Sequence, residues 1–127
     1  MKPVILSSLC VLFLILLWGG FCYASETVLA DFSQQLSGPV YTHITEENWT
    51  AAENTTKQIS EDWEKYKTLF YMLSNHTVMR ETDISLARLR EFIRNEEASD
   101  AHAEIAALNE LFLSIRQIEA FSVDNIL

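Results

Sequence analysis

The chain has 127 residues, with 18 acids against nine bases, and its formal net charge is −9. All 18 acids and eight of the bases lie in residues 25–127, which therefore carry a net charge of −10. A surface this acidic repels nucleic acid and anionic headgroups, so we expect no nucleic-acid partner. It suits a basic partner, loosely held cations or simple solubility.

The leader at the start of the chain predicts a membrane segment. Residues 3–24 carry no charge, and as a helix they would extend about 33 Å, which matches a hydrocarbon core of about 30 Å. Trp18, Phe21 and Tyr23 stand at its far end, where interfacial aromatic residues are common. Lys2 favours a cytoplasmic start. We therefore expect a single-pass membrane protein whose C-terminal domain lies outside the cell.

The same leader is also typical of a secretory signal peptide. Val4–Trp18 has the length of an apolar signal core, and Cys22-Tyr23-Ala24 places small residues at the two positions that signal peptidase inspects. Cleavage after Ala24 would release a secreted protein. We favour the uncut anchor, and both alternatives export residues 25–127 as one domain, distinct from residues 1–24.

The exported domain must fold without disulfide bonds, because both cysteines, Cys10 and Cys22, lie in the leader. It therefore has no disulfide, no thiolate metal site and no cysteine nucleophile. Its first predicted helix covers Glu26–Leu36, with Ser25 as the cap. We expect Ser37-Gly38-Pro39 to end this helix, because glycine favours a left-handed stop and proline cannot continue the hydrogen-bond ladder.

A long helix is predicted from about Thr45 to Ser74, with the Thr45 hydroxyl as its cap and Glu46 and Glu47 at the positive end of its dipole. One face repeats at spacings of three and four residues: Trp49, Ala52, Thr56, Ile59, Trp63, Tyr66, Phe70 and Leu73. This heptad pattern predicts a seam that packs against other helices.

Two more helices follow the predicted reversal at Ser74-Asn75-His76-Thr77. The first repeats the same spacing at Met79, Thr82, Leu86, Leu89 and Ile93, and the second at Ala101, Ile105, Leu108, Phe112 and Ile115. Between them Asn95–Asp100 predicts a polar turn, with Ser99 or Asp100 as the next cap. Phe121–Leu127 loses the helical period, so we expect a short extended tail.

These elements predict an all-α protein: an N-terminal membrane helix or signal peptide followed by an antiparallel three- to four-helix bundle. No window alternates apolar and polar residues, so no sheet is expected.

Catalytic devices are not apparent. The residues three positions before His43, His76 and His102 are not glutamates, so the Glu-x-x-His signature of di-iron bundles is missing. There is no glycine-rich phosphate loop and no serine in a nucleophile elbow. We therefore expect a protein that is not an enzyme and that uses no cofactor or metal, with His102 at a solvated helix terminus.

His76 is the strongest candidate for a contact residue, because it stands in the tight reversal with Glu81 and Asp83 nearby in sequence. Two interpretations remain open. His76 could be pH-sensitive or contact a ligand in a pocket near Tyr66 and Phe70. It could instead satisfy loop backbone groups or cap the long helix, which is the interpretation that we favour.

Three segments carry a resemblance to a known family: "DISLARLREFI" at Asp83–Ile93, "AHAEIAALNELFLSI" at Ala101–Ile115, and the terminal "FSVDNIL". With the spaced tryptophans and His76, they resemble a small bacterial family, the domain of unknown function 4363. The resemblance implies a spore-forming, Gram-positive-type source, an N-terminal membrane segment and an anchored exterior domain. It implies no activity.

Our leading hypothesis is therefore an extracytoplasmic helical bundle, tethered to the membrane through residues 3–24, that contacts an unknown protein partner at the membrane surface. The alternative is an extracytoplasmic domain that senses a small molecule or a cation.

Overall fold

The computed structural model describes the backbone of residues 2–73 and 75–126, and the side chains of residues 2–21, 23–24, 26–71 and 75–117. The elements in chain order are α1 (Lys2–Gln35), a π-helical segment (Leu36–Val40), α2 (Tyr41–Thr45), α3 (Trp49–Leu73), α4 (His76–Arg94) and α5 (Ala98–Ile126). No strand occurs in the described backbone, and the all-α prediction is confirmed.

Residues 26–126 form a bundle of four long helical segments. α4 packs between α3 and α5, and the second half of α1 closes the bundle against α3 and α5. The ring of Phe32 on α1 lies 6.4 Å from that of Trp63 and 5.8 Å from that of Phe112. Short connections after α2, α3 and α4 make the four long helical segments antiparallel in turn, as predicted.

The first helix does not end at Gly38-Pro39, and this prediction is wrong. Helical backbone runs without a break from Lys2 to Thr45. Proline lacks an N–H, and in an α-helix its ring would clash with the carbonyl four residues earlier, so the chain widens locally into a π-helical turn around Pro39. The buried side chains of Leu36, Val40 and Ile44 hold this stretch against the core. Ser25 lies inside α1 and is therefore not a cap.

The predicted caps of α3 and α5 are also wrong. Thr45 is the last residue of α2, and its hydroxyl donates to the carbonyl of Tyr41 at 2.9 Å. Asn48 takes the capping role instead, because its side chain accepts from the backbone N–H of Ala51 at 3.3 Å. α5 begins at Ala98, before either Ser99 or Asp100.

The α2–α3 and α4–α5 turns share one backbone design, the Schellman motif. The N–H groups of Glu47 and Asn48 donate to the carbonyls of Ile44 and His43. Those of Glu96 and Glu97 donate in the same way to the carbonyls of Ile93 and Phe92. Glu47 (φ 58°) and Glu96 (φ 56°) occupy the left-handed position, which usually belongs to glycine.

The predicted reversal between α3 and α4 is confirmed and is very short. α3 ends at Leu73 and α4 begins at His76. Asn75 is the cap, since its side chain accepts from the backbone N–H of Thr77 at 2.8 Å. Ser74 lies outside the described residues.

The predicted seams form the core. The α4 and α5 seams are buried in full, as are Leu29, Phe32 and Leu36 of α1, and so are five α3 positions: Ala52, Thr56, Ile59, Trp63 and Phe70. Trp49 is half-buried and Tyr66 is exposed. The side chain of Leu73 lies outside the described part of the molecule.

The predicted extended tail is wrong, because α5 continues to Ile126. The chain has no glycine or proline beyond residue 39. Nothing after Ala98 therefore breaks the helix, although the apolar period fades. The side chains beyond residue 117 are outside the described set.

Candidate functional site

The four predicted contact residues do not form one site. His76 is exposed as the first residue of α4, and its ring lies 5.3 Å from the ring of Tyr71. Tyr66 is exposed and packs on Phe70 at 6.4 Å between ring centroids. Glu81 lies along the groove between α4 and α5. Among the described residues, neither Glu81 nor Asp83 contacts His76 by a hydrogen bond or ion pair.

Asp83 forms a different constellation, at the interface of α3 and α4. One of its carboxylate oxygens accepts a hydrogen bond from the indole N–H of Trp63 at 2.8 Å. The other oxygen lies 3.0 Å from the ammonium of Lys67, which is also 3.5 Å from a carboxylate oxygen of Glu64. Trp63 and Lys67 are four residues apart on α3, so they share one face and meet Asp83 together.

The ionisation of Lys67 reflects these contacts. The hydrogen bond to Asp83 raises the pKa of Lys67 above its ordinary value, and the negative charges of Asp83 and Glu64 act in the same direction. Partial burial opposes them, because it disfavours the charged ammonium. Lys67 is therefore held as a cation beside the carboxylate.

An open cleft of about 430 Å³ surrounds this constellation. Trp63, Leu86 and Ala87 supply apolar wall, and charged side chains of both signs line the rest. At the end away from Asp83, the cleft is lined by Lys57, Ser60 and Arg90.

Two polar atoms at that end of the cleft are unsatisfied. The Ser60 hydroxyl and the Arg90 Nε are buried and have no hydrogen-bond partner within the described residues. Lys57 and Arg90 also form no ion pair with any residue that the structure describes. An arginine fork, an ammonium and a hydroxyl together can bind a small carboxylate or phosphate anion.

Sequence reasoning missed this cleft. Its residues come from two helices, and only the α3–α4 register brings Lys57 and Ser60 towards Arg90. One available signal was the i, i+4 pair of Trp63 and Lys67, with Asp83 two turns into the next helix. The prediction instead followed His76, which lies exposed at the start of α4.

The prediction that His102 lies at a solvated helix terminus is wrong, because its side chain packs on α2. Its ring stacks on that of Tyr41 at 4.1 Å, and its Nε2 lies 3.3 Å from the Thr45 hydroxyl. Nδ1 of His43 is buried without a hydrogen-bond partner among the described residues.

Metal ligands are not clustered in the described part of the chain: no group of three or more histidine, cysteine, aspartate or glutamate side chains is placed to hold an ion.

The N-terminal half of α1 is the most apolar part of the molecule. The helix from Lys2 to Thr45 is long and apolar enough to cross a membrane, and its most apolar stretch is not buried by the protein. A signal sequence has the same character.

The protein is an all-α helical bundle whose first helix begins with a long apolar stretch. Comparison of sequences identifies its family. The family described as Domain of unknown function (DUF4363) matches residues 26–126, and the chain belongs to this family. The match begins at Glu26, so it covers the bundle and not the apolar stretch. No curated protein and no solved structure matches the chain.

The distinctive "SLARL" block of the family resemblance has a packing role here. Leu86 and Leu89 are buried, and the Ser85 hydroxyl donates to a carboxylate oxygen of Glu104 on α5 at 2.5 Å. The block therefore joins α4 to α5. The terminal Asn125-Ile126-Leu127 lies outside the described side chains.

Proposed function

We propose that this protein is a non-enzymatic helical bundle, tethered outside the membrane by residues 3–24, which acts through contacts with a protein partner. The observation that carries the proposal is the unbroken helix from Lys2 to Thr45. One end of it carries no charge from residue 3 to residue 24, and the other supplies Leu29, Phe32 and Leu36 to the bundle core.

The exposed apolar stretch supports the tether. Every large apolar side chain from Val4 to Leu17 is more than half exposed. In water each would cost about 1.5–3 kcal/mol relative to a buried position. A lipid bilayer removes this cost, and the uncharged length fits its hydrocarbon core. These properties therefore support a membrane-spanning position for this stretch.

The charge of the bundle supports a basic partner. The two Schellman turns lie at the same end of the bundle, as the 3.4 Å contact between Arg94 and Glu53 and the contact of His102 with Thr45 require. This end of the bundle, the acidic tip, carries five acids in or beside the turns: Glu46, Glu47, Glu96, Glu97 and Asp100. Their field attracts basic surfaces and speeds their association.

The tether is tested by separating membranes from the soluble fraction and treating intact cells with protease. We expect the full chain in the membrane fraction, with residues beyond 25 digestible from outside. A soluble chain, or one protected until the cells are opened, contradicts the proposal.

The partner contact is tested by cross-linking in intact cells with two matched double variants. Glu46→Gln with Glu97→Gln removes charge from the tip without touching the left-handed positions. Glu81→Gln with Glu110→Gln removes the same charge from exposed positions elsewhere. We expect only the first pair to weaken the cross-link to a protein. Equal cross-linking by both variants contradicts the role of the tip.

The α3–α4 cleft favours a second candidate function, the binding of a small anion. The unsatisfied Ser60 hydroxyl and Arg90 Nε support it. Trp63 lines the same cleft, so its indole N–H resonance would report binding. We expect inorganic phosphate to shift that resonance saturably in the full chain and in Arg88→Gln, but not in Arg90→Gln. An equal response in both variants would contradict the cleft as the site.

A further inference from the structure

Contacts with the first helix show how far each part of the other helices lies from the apolar span, measured along the axis of the bundle. Phe32 of α1 is level with Trp63 of α3 and Phe112 of α5, because their rings are in contact. Glu26 is likewise level with Arg116, at 3.1 Å, and Tyr41 is level with His102. These contacts set one antiparallel register along the whole bundle.

The register places the α3–α4 turn beside the end of the apolar span. α3 runs ten residues from Trp63 to its end at Leu73, about 15 Å towards the N-terminal end of α1. The turn is therefore level with roughly residues 20–23 of α1. α5 runs 14 residues from Phe112 to Ile126, so its backbone ends near the level of Trp18, by the same rise of about 1.5 Å per residue.

The side chains near this end suit the interface between lipid and water. Tyr71 and His76 contact each other across the turn, and aromatic side chains are enriched at membrane interfaces. Five large apolar side chains are exposed among those described from residue 26 to residue 117. Tyr41 lies at the far end, and the other four lie in the half of the bundle nearer the span: Tyr66, Leu69, Ile84 and Leu113.

Charge is distributed in the opposite sense along the bundle. The five acids of the tip lie at the end far from the span, where repulsion from anionic headgroups is smallest. Nearer the span, Glu26 is paired with Arg116, and Asp83 with Lys67. Four of the five exposed large apolar side chains thus lie in the half nearer the span, and the cluster of five acids lies at the other end. Asp31 and Glu81 are exposed acids nearer the span that take part in no ion pair among the described residues.

We propose that the α3–α4 turn, with Tyr71 and His76, docks on the headgroup layer of the same membrane that holds residues 3–24. This inference rests on the proposed tether. The bundle then stands directly on the lipid with no stalk between them, because α1 continues as helix through the boundary. The acidic tip is held about 32 Å above the end of the span, by the helical rise from Ala24 to Thr45.

The test compares two exposed turn residues at opposite ends of α4. A full-length chain with Cys10→Ser and Cys22→Ser receives a single cysteine, either His76→Cys or, as the matched control, Asn95→Cys. The 19 residues of α4 separate these positions by about 28 Å. Each variant carries an environment-sensitive fluorophore in phosphatidylcholine vesicles that contain some headgroup-spin-labelled lipid. Circular dichroism checks that both remain folded.

We expect the spin label to quench the fluorophore at position 76 several-fold more than the one at position 95. Equal quenching at both positions, or no quenching at 76 in a chain that floats with the vesicles, would overturn the docking and leave the tether intact. A chain that does not float with the vesicles would overturn the tether and the docking together.

Discussion

Asp83 receives the indole N–H of Trp63 at 2.8 Å while its second oxygen faces the ammonium of Lys67 at 3.0 Å. The carboxylate thereby satisfies the polar atom of the largest buried side chain in the core. It also holds α4 in register on α3. The first predictions concern this contact.

Asp83→Ala should lower the free energy of unfolding by about 1–3 kcal/mol, because it leaves the Trp63 N–H without its acceptor and Lys67 without its nearest partner. Glu81→Ala, at an exposed position two residues earlier, is the matched control and should change it by less than about 0.5 kcal/mol. Chemical denaturation of both variants measures the difference. Equal effects would show that the Trp63–Asp83 bond contributes nothing specific.

The Lys67–Asp83 contact should contribute to stability in a defined pH range. The pKa of Lys67 is raised in the folded state, so its contribution is fully present below the ordinary value of 10.5. It is lost as the pH rises through the higher folded-state value. The difference in unfolding free energy between the wild type and Lys67→Gln should be constant near neutral pH and shrink above 10.5. A difference that grows with alkaline pH would contradict the assignment.

The left-handed glutamates should be replaceable by glycine with a gain in stability. Glu47→Gly and Glu96→Gly each relieve a positive φ that L-residues adopt at a cost of about 1–2 kcal/mol, less the greater freedom of glycine in the unfolded chain. We expect a net gain of about 0.5–1 kcal/mol for each. Thermal unfolding measures this.

Glu46→Gly is the matched control for these turns, because its φ of −82° is one that any residue adopts. It should lower stability by a few tenths of a kcal/mol, since glycine there only adds freedom to the unfolded chain. Gains of equal size at positions 46 and 47 would show that the turn geometry is not the cause.

The ion pair of Glu26 and Arg116 should be worth little by itself. The Glu26 side chain is 62% exposed, so solvent and salt screen the pair. A double-mutant cycle with Glu26→Gln and Arg116→Gln should give a coupling of about 0.5 kcal/mol or less, falling with added salt. A coupling of several kcal/mol would mean that the pair is desolvated in the membrane-bound protein.

The bundle could be predicted from sequence because its seams follow one period. Positions such as Met79, Leu89 and Phe112 are buried as expected, since heptad spacing puts them on one helical face. Helix ends were harder to predict. Gly38-Pro39 has the composition of a stop, yet burial of Leu36 and Val40 outweighed the local preference.

The contact residues could not be predicted for a related reason. Pairing Asp83 with Trp63 and Lys67 depends on the register of two helices, which periodicity alone does not determine. His76 was chosen because it stands in the reversal with acids nearby in sequence, and the structure places it on the surface at the start of α4. The left-handed turns at Glu47 and Glu96 could not be predicted, because glycine usually occupies that position.

The tether is the central claim, and intact-mass measurement of the membrane-associated protein tests it most directly. We predict a mass that includes residues 3–24, which means an uncut leader. A mass that begins at Ser25 would contradict the account, because the bundle would then have left its anchor behind.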